Sequence, residues 1–381
     1  MYARKLNLQP FARHKSLFLL GPRQTGKSTL LQRDFPEACY IDLLDNEIFR
    51  RFAGAPERLR DAVGGHKQVI VDEIQKLPGL LDETQRLIDT RDVHFLLTGS
   101  SARKLRRGKA NLLGGRALFF NLHPLCSAEI GYDRIPDLLQ RGGLPGFVDS
   151  PIHWEELRAY TGAYLREEIQ AEALTRSIEN FSRFLDVAVH FNCEQLNYSK
   201  IGNDADIAPR TIKDYVKILE DTLVLHILPP FCQRNKRKLA ATEKVYFFDI
   251  GVANALARRR ELPAGSPEYG KALEQLVFLE LHAAIEYQRL EVRLSYWRTR
   301  TQLEVDFLLD DRIAIEVKAT KHVAPADLKS LRAIAEELNL EKRLLVCQEP
   351  YYRQTEDGIE IVPVAEFCKR LWEGEVILGH L

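Results

Sequence analysis

The sequence predicts a multidomain α/β protein whose first sheet is parallel, and three observations predict it. Five short apolar runs, Ser16–Leu20, Cys39–Asp42, Gln68–Val71, His94–Leu97 and Ala117–Asn121, alternate with polar or helical stretches. Several are continuous rather than alternating, the pattern of strands covered on both faces of a parallel sheet. Strands return only from residue 244, beyond a long helical stretch, so a second α/β region reads as a separate unit. The 381 residues exceed one typical domain two- to threefold.

Composition narrows the class. A hydrophobic fraction of 45% with 28% charged residues belongs to packed globular domains rather than disorder. Basic and acidic residues number 54 each, so whole-molecule attraction to a polyanion is excluded and any nucleic-acid contact must be a local patch. The six cysteines (39, 126, 193, 232, 347, 368) form no C-x-x-C pair, which excludes zinc-finger and redox motifs and favours a reducing, cytoplasmic setting. Leu17–Leu20 is too short for a signal segment, and no run approaches the roughly 18–20 apolar residues of a membrane span. A soluble protein without a membrane partner is expected.

The first strand leads into Gly21-Pro22-Arg23-Gln24-Thr25-Gly26-Lys27-Ser28, a complete G-x-x-x-x-G-K-[ST], followed by Thr29 and a helix start. Glycines let the backbone curl so that its N–H groups face phosphate, and the helix N-terminus adds its dipole. Lys27 would meet the β- and γ-phosphates of ATP, and Ser28 would offer a hydroxyl to Mg²⁺. The third run ends in Asp72-Glu73: Asp72 would hold Mg²⁺ through water, and Glu73 would orient the attacking water. The fourth run ends in Thr98-Gly99-Ser100. Thr98 and Ser100 read either as sensors of the γ-phosphate or as simple helix N-caps. Arg116, in Gly114-Gly115-Arg116, reads either as an arginine finger, in cis or across a subunit interface, or as a surface residue. It follows a basic loop containing Arg103, Lys104, Arg106, Arg107 and Lys109.

These segments, with Asp72–Pro78, Leu97–Ala102 and Leu122–Leu125, follow one another in an order that resembles the bacterial and archaeal AAA-type ATPases carrying an uncharacterised C-terminal domain. The resemblance covers nearly the whole chain. It implies an AAA+-like core at residues 1–125 with Walker A, Walker B and sensor residues as assigned above, and ring assembly by analogy.

Residues 126–190 read as a helical lid, broken at Gly142–Gly146. Residues 191–240 read as a winged-helix-like module. Tyr198–Ile207 forms a short helix, Ala208-Pro209-Arg210 the turn, and Thr211 opens a second helix. Arg210, Lys213 and Lys217 share one face and are candidate DNA-phosphate contacts, while Asp214, Glu220 and Asp221 dilute that surface and favour a protein contact. Arg234–Lys238 is a second basic patch or a solvated loop.

In residues 241–381, Glu304–Leu309 and Ile313–Lys318 read as two strands joined by a turn. Glu316 and Lys318 share a face, Asp306 lies one hairpin away, and Glu274 lies on the preceding helix. Two converging carboxylates with a lysine can hold Mg²⁺ and activate water. Asp306, Glu316 and Lys318 are thus candidate catalytic residues, with Asp306, Glu316 and Glu274 as metal ligands. The pattern resembles the restriction-endonuclease-like nucleases, departing from them at Glu304-Val305, where a Pro is often found. A charged solvated hairpin and an inert nuclease fold are the alternatives.

The expectation is an ATPase coupling nucleotide state to a nuclease-like, DNA-facing domain. The alternatives are an ATP-dependent switch for protein partners and a DNA-binding regulator acting through the helix-turn-helix.

Overall fold

The computed structural model describes residues 2–100, 113–164, 177–232 and 242–377. Among these the strands form three sheets. The first contains β1 (Ser16–Leu20), β2 (Cys39–Asp42), β3 (Gln68–Asp72), β4 (His94–Gly99) and β5 (Ala117–Asn121), all parallel, in the order β2-β3-β4-β1-β5. Both faces are covered, which is why the strands read as unbroken apolar runs. Phe18, Leu20, Val69, Val71, Phe95 and Leu97 pack into one cluster, and the alternate residues Leu17, Leu19, Ile70 and Leu96 into another on the opposite face. Parallel strands end at the same edge. The carboxyl ends of β1, β3 and β4 therefore bring the glycine-rich loop, Asp72 and Thr98 to one place.

The helices of the next region are short: Ser127–Ile130, Ile135–Arg141 and His153–Ala159. The break between them is sterically required at Gly142, whose φ is +77° and where a Cβ would lie 2.3 Å from Asp249 Oδ1. Asp249 accepts the Gly143 N–H at 2.7 Å and caps helix Ile250–Leu256 by accepting the Val252 N–H at 2.8 Å. The helix pair Tyr198–Ala205 and Pro209–Asp221 comes next, beside a small antiparallel sheet of β6 (Glu194–Gln195), β7 (Leu225–Leu228) and β8 (Lys244–Phe247).

The strand at 244–247 is a correction to the expected division of the chain. The sequence reading places it in a C-terminal unit beginning at residue 241, but its hydrogen bonds go to β6 and β7. Strand propensity says only that 244–247 is extended; its partners are a matter of packing.

The third sheet is mixed, in the order β13-β14-β12-β11-β10-β9. Its strands are β9 (Leu294–Arg298), β10 (Glu304–Leu309), β11 (Ile313–Val317), β12 (Lys342–Cys347), β13 (Arg353–Gln354) and β14 (Glu360–Pro363). Helix Pro267–Tyr287 covers one face and helix Lys329–Glu337 the other. This region is not separate from what precedes it. One apolar cluster joins Leu125, Leu138 and Tyr246 to Phe278, Phe307 and Val346, so the middle of the chain and the C-terminal sheet share a core. No described helix is long and apolar enough to cross a membrane.

Candidate functional site

The phosphate loop leaves β1 in a conformation that its sequence dictates. At Gly21 a Cβ would sit 2.5 Å from the Leu122 carbonyl oxygen, and Gly26, at φ +90°, opens helix Lys27–Asp34 from the left-handed region. Gln24 is also left-handed, at φ +68°. Lys27 is buried and donates to the carbonyls of Gly21 and Pro22 at 2.7 and 3.0 Å, so its ammonium lies inside the loop. Thr25 Oγ1 ties the loop to itself by donating to Pro22 at 2.8 Å. Arg23 lends its carbonyl to the Tyr160 hydroxyl at 3.4 Å. Thr29 lines a groove with Gly26, Arg33 and Asp149.

The acids stand beside this loop. One oxygen of Asp72 accepts the Tyr40 hydroxyl at 2.5 Å and the other accepts the Thr98 hydroxyl. Ser28, the other group expected to manage Mg²⁺, lies near enough to the same phenol to lower its pKa slightly. Burial and the bond to Asp72 push the Tyr40 hydroxyl pKa up, keeping it a donor. Glu73 is a non-glycine residue at φ +60°; its N–H donates to Thr98 Oγ1 at 3.0 Å. Strained backbone of this kind is common at functional sites. Its carboxylate accepts the Gln75 amide at 2.5 Å, and that amide also reaches Ser100 Oγ at 3.3 Å. Thr98 lies within β4, so the N-cap alternative does not apply to it. The residues after Ser100, including Arg103, Lys104, Arg106, Arg107 and Lys109, lie outside the described residues.

The sequence reading did not single out Tyr40 or Gln75. Gln75 follows Glu73 by two residues, but nothing local marks its amide as a brace. Tyr40 comes from a strand that only the sheet order brings beside Asp72. A loop with an enclosed ammonium, a hydroxyl, and a carboxylate at the same sheet edge fits a nucleoside triphosphate with Mg²⁺.

Arg116 is elsewhere. It precedes β5, where Ala117 pairs with Ser16 at the start of β1, so the length of β1 separates it from the phosphate loop, roughly 17 Å for five residues. Its guanidinium pairs with Asp89 at 2.6 Å. A cis arginine finger is ruled out by this placement, because the strands run parallel and the loop leaves their other end.

At the C-terminal sheet, the predicted residues do come together. Asp306 and Glu316 flank the Phe307–Ile315 pair of the hairpin, and Asp306 Oδ2 accepts the Val317 N–H at 2.9 Å. Glu316 Oε1 lies 2.5 Å from Lys318 Nζ, while its buried Oε2 has no hydrogen-bond partner among the described residues. A second lysine, which the sequence reading missed, stands among the acids. Lys244 Nζ is 2.5 Å from Glu304, 3.1 Å from Glu274 and 3.5 Å from Asp306, and is buried. Glu274 also accepts the Tyr246 hydroxyl at 2.7 Å. Burial raises the Glu274 pKa to about 7, with Asp306 adding to the rise and Lys244 opposing it. Burial, then Asp306, lifts Glu316 well above the usual carboxylate range, against Lys318. The same burial penalises the Lys244 ammonium, but Glu274, Asp306 and Glu304 outweigh it and raise its pKa. A cleft of about 700 Å³, lined by Glu194, Lys200, Lys244, Arg298 and Glu304, opens onto this cluster.

Arg210, Lys213 and Lys217 are exposed on one face of helix Pro209–Asp221. Exposed Asp214 shares that face, and Lys217 is held by Glu220 and Asp221 at 2.8 and 3.2 Å, so the stripe is of mixed charge. Arg234–Lys238 lie outside the described residues.

Residues 13–131 match the AAA domain family. Residues 132–262 match one domain of unknown function (DUF8612) and residues 269–367 another (DUF4143). An uncharacterized protein of Mycobacterium tuberculosis is 24% identical over 367 residues, covering 91% of this chain and 79% of that protein. One of Haemophilus influenzae is 24% identical over 386 residues, covering 91% and 92%. Among solved structures, the Aeropyrum pernix ORC1 protein in complex with DNA is 14% identical, covering 64% of this chain and 86% of that one, at a TM-score of 0.27. With its phosphate loop and acids, the N-terminal region is a P-loop ATPase domain of the AAA type.

Proposed function

We propose that this chain is a magnesium-dependent ATP hydrolase whose nucleotide state is passed to a nuclease-like C-terminal domain. The observation that carries the first part is the hydrogen-bonded chain at the sheet edge beside the phosphate loop. Tyr40 donates to Asp72, and Thr98 joins Asp72 to the Glu73 backbone. Lys27 and the loop amides would bind the triphosphate, and Ser28 and Asp72 would hold its metal, which supplies charge neutralisation for phosphoryl transfer. Glu73, braced by Gln75, would orient and polarise water.

Communication has a physical route. Arg4 donates to the Thr25 carbonyl of the phosphate loop at 2.7 Å and to the His123 carbonyl at 2.6 Å, and its Nε reaches Glu129 at 3.0 Å. Tyr287, at the end of the helix that carries Glu274, joins the same knot: its hydroxyl oxygen accepts from Arg4 at 3.3 Å and from the His123 N–H at 3.0 Å. A shift of the loop therefore pulls on the helix behind the carboxylate cluster.

The nuclease-like reading rests on Glu274, Asp306, Glu316 and Lys318 gathering in one charged cluster, which Lys244 and Glu304 connect to the cleft. A second reading is favoured by Lys244. An ammonium at the focus of three carboxylates takes the place a divalent ion would need, which suits an inert fold used as a scaffold for protein partners. The mixed charge around Arg210, Lys213 and Lys217 favours a protein contact over DNA for that module.

The deciding experiment measures ATP binding and turnover in wild type, Lys27→Ala and Glu73→Gln. Glu73→Gln should bind ATP normally and turn it over at least about 100-fold more slowly, and Lys27→Ala should lose binding. Equal turnover in wild type and Glu73→Gln removes the assigned mechanism. For the C-terminal cluster, Mg²⁺- or Mn²⁺-dependent cleavage of DNA that Lys318→Ala abolishes supports the nuclease reading, and no cleavage by wild type leaves the scaffold.

A further inference from the structure

Three imidazoles from distant parts of the chain meet where the three regions touch. His123 follows β5, His226 lies on β7, and His282 lies on helix Pro267–Tyr287. Each offers a ring nitrogen, and those nitrogens all lie within 4.8 Å of one another. The ring centroids are 4.5 Å apart for His226 and His282, 5.0 Å for His123 and His282, and 6.0 Å for His123 and His226. His123 and His226 are buried. Glu286, one helical turn beyond His282, has one oxygen 2.7 Å from His123 Nε2 and the other 3.7 Å from His282 Nε2. Asn121 donates to the same carboxylate at 3.1 Å.

The bland account is a polar pocket filled by satisfied histidines, and one atom argues against it. His226 Nε2 is buried without a hydrogen-bond partner among the described residues. Leaving such a nitrogen unsatisfied costs about 1–3 kcal/mol, and a core residue without polar atoms would fill the space without that cost. Burial, with the neighbouring histidines, also lowers the pKa of His226 and brings that of His282 to about 4.

We propose that His123, His226 and His282 form a site for a zinc-class divalent transition metal, with the Glu286 carboxylate completing the shell. Three imidazoles and a carboxylate form a borderline donor set that suits Zn²⁺ or Co²⁺ and not Mg²⁺. Metal–nitrogen bonds of about 2.0–2.1 Å require the three nitrogens to close by about an ångström from their widest separation, which side-chain rotation supplies. Phe278 lies parallel to His282 at 5.6 Å and also flanks His226 at 6.0 Å, giving the site an apolar wall. The metal would pin the loop after β5, the small sheet and the long helix to one another. This site uses none of the proposed nucleotide-binding residues; His123 takes part in the Arg4 and Tyr287 knot only through its backbone.

The test strips the full-length chain with a chelator and titrates it with Co²⁺, following visible absorption, with Zn²⁺ as competitor. One equivalent should bind with the intense band of a four-coordinate site, Zn²⁺ should displace it, and the melting temperature should rise. His226→Gln and His282→Gln, each checked for folding by circular dichroism, should bind on the order of 100-fold more weakly. If one variant does not fold, the other is read. No band in wild type overturns the proposal, as does a band that survives in the folded variants, which would place the metal elsewhere.

Discussion

The Tyr40 hydroxyl donates to Asp72 at 2.5 Å, so a neutral phenol sits on a carboxylate expected to manage magnesium. In this arrangement Asp72 is already engaged, and metal must compete with the phenol for its oxygen. Tyr40→Phe removes the competitor. A net hydrogen bond is worth about 1 kcal/mol, so half-saturation of ATP turnover should need about fivefold less Mg²⁺, with kcat nearly unchanged. A magnesium titration of the two proteins decides it. A higher magnesium requirement in the variant would mean that Tyr40 helps to hold the ion.

Gln75 donates its amide to Glu73 at 2.5 Å and, in the proposed mechanism, would be a positioning residue. With Gln75→Ala the Glu73 carboxylate loses its brace while the phosphate loop is untouched. Turnover should fall about tenfold, equivalent to about 1.4 kcal/mol, with KM for ATP unchanged. A rise in KM without loss of kcat would place Gln75 in binding instead.

Lys244→Met should cost about 3–5 kcal/mol, because it leaves Glu274, Glu304 and Asp306 together without their shared ammonium. If those acids can hold a divalent ion, millimolar Mn²⁺ should restore part of the variant's melting temperature and leave wild type unmoved. No restoration would show that the acids do not form a metal-sized site.

The pH dependence at Asp249 has a definite sign. Burial raises its pKa to about 6 in the folded chain, above the ordinary value of 3.8, although the N–H groups of Gly143, Val252 and Gly251 pull it down. Between these values the folded state holds more protons than the unfolded one, so stability falls as pH rises through this window. Asp249→Asn is neutral throughout. It should be less stable at pH 5, having an amide that faces the Gly143 N–H, but its deficit should shrink by about 1 kcal/mol by pH 7.5. Denaturant melts at the two pH values test this, and a deficit that grows with pH contradicts it.

Local chemistry was legible before any coordinates. The phosphate loop is eight consecutive residues whose glycines and lysine are required by backbone curvature and charge. Asp72, Glu73 and Thr98 could be named because each ends an apolar run. The hairpin pairing Asp306 with Glu316 and Lys318 followed from strand alternation across a short turn. All of these depend on neighbours within one element or one turn.

What the chain could not declare in linear form was which elements lie side by side. Sheet order puts Tyr40 against Asp72 and sends Arg116 to the far end of the strands. The pairing of β8 with β6 and β7 carries Lys244 into a carboxylate cluster built by other segments, and a shared core brings His123, His226 and His282 together across 160 residues. Propensity and periodicity act over a few residues. Long-range partners are chosen by the burial of whole faces against one another, a property of the assembled core that no single segment records.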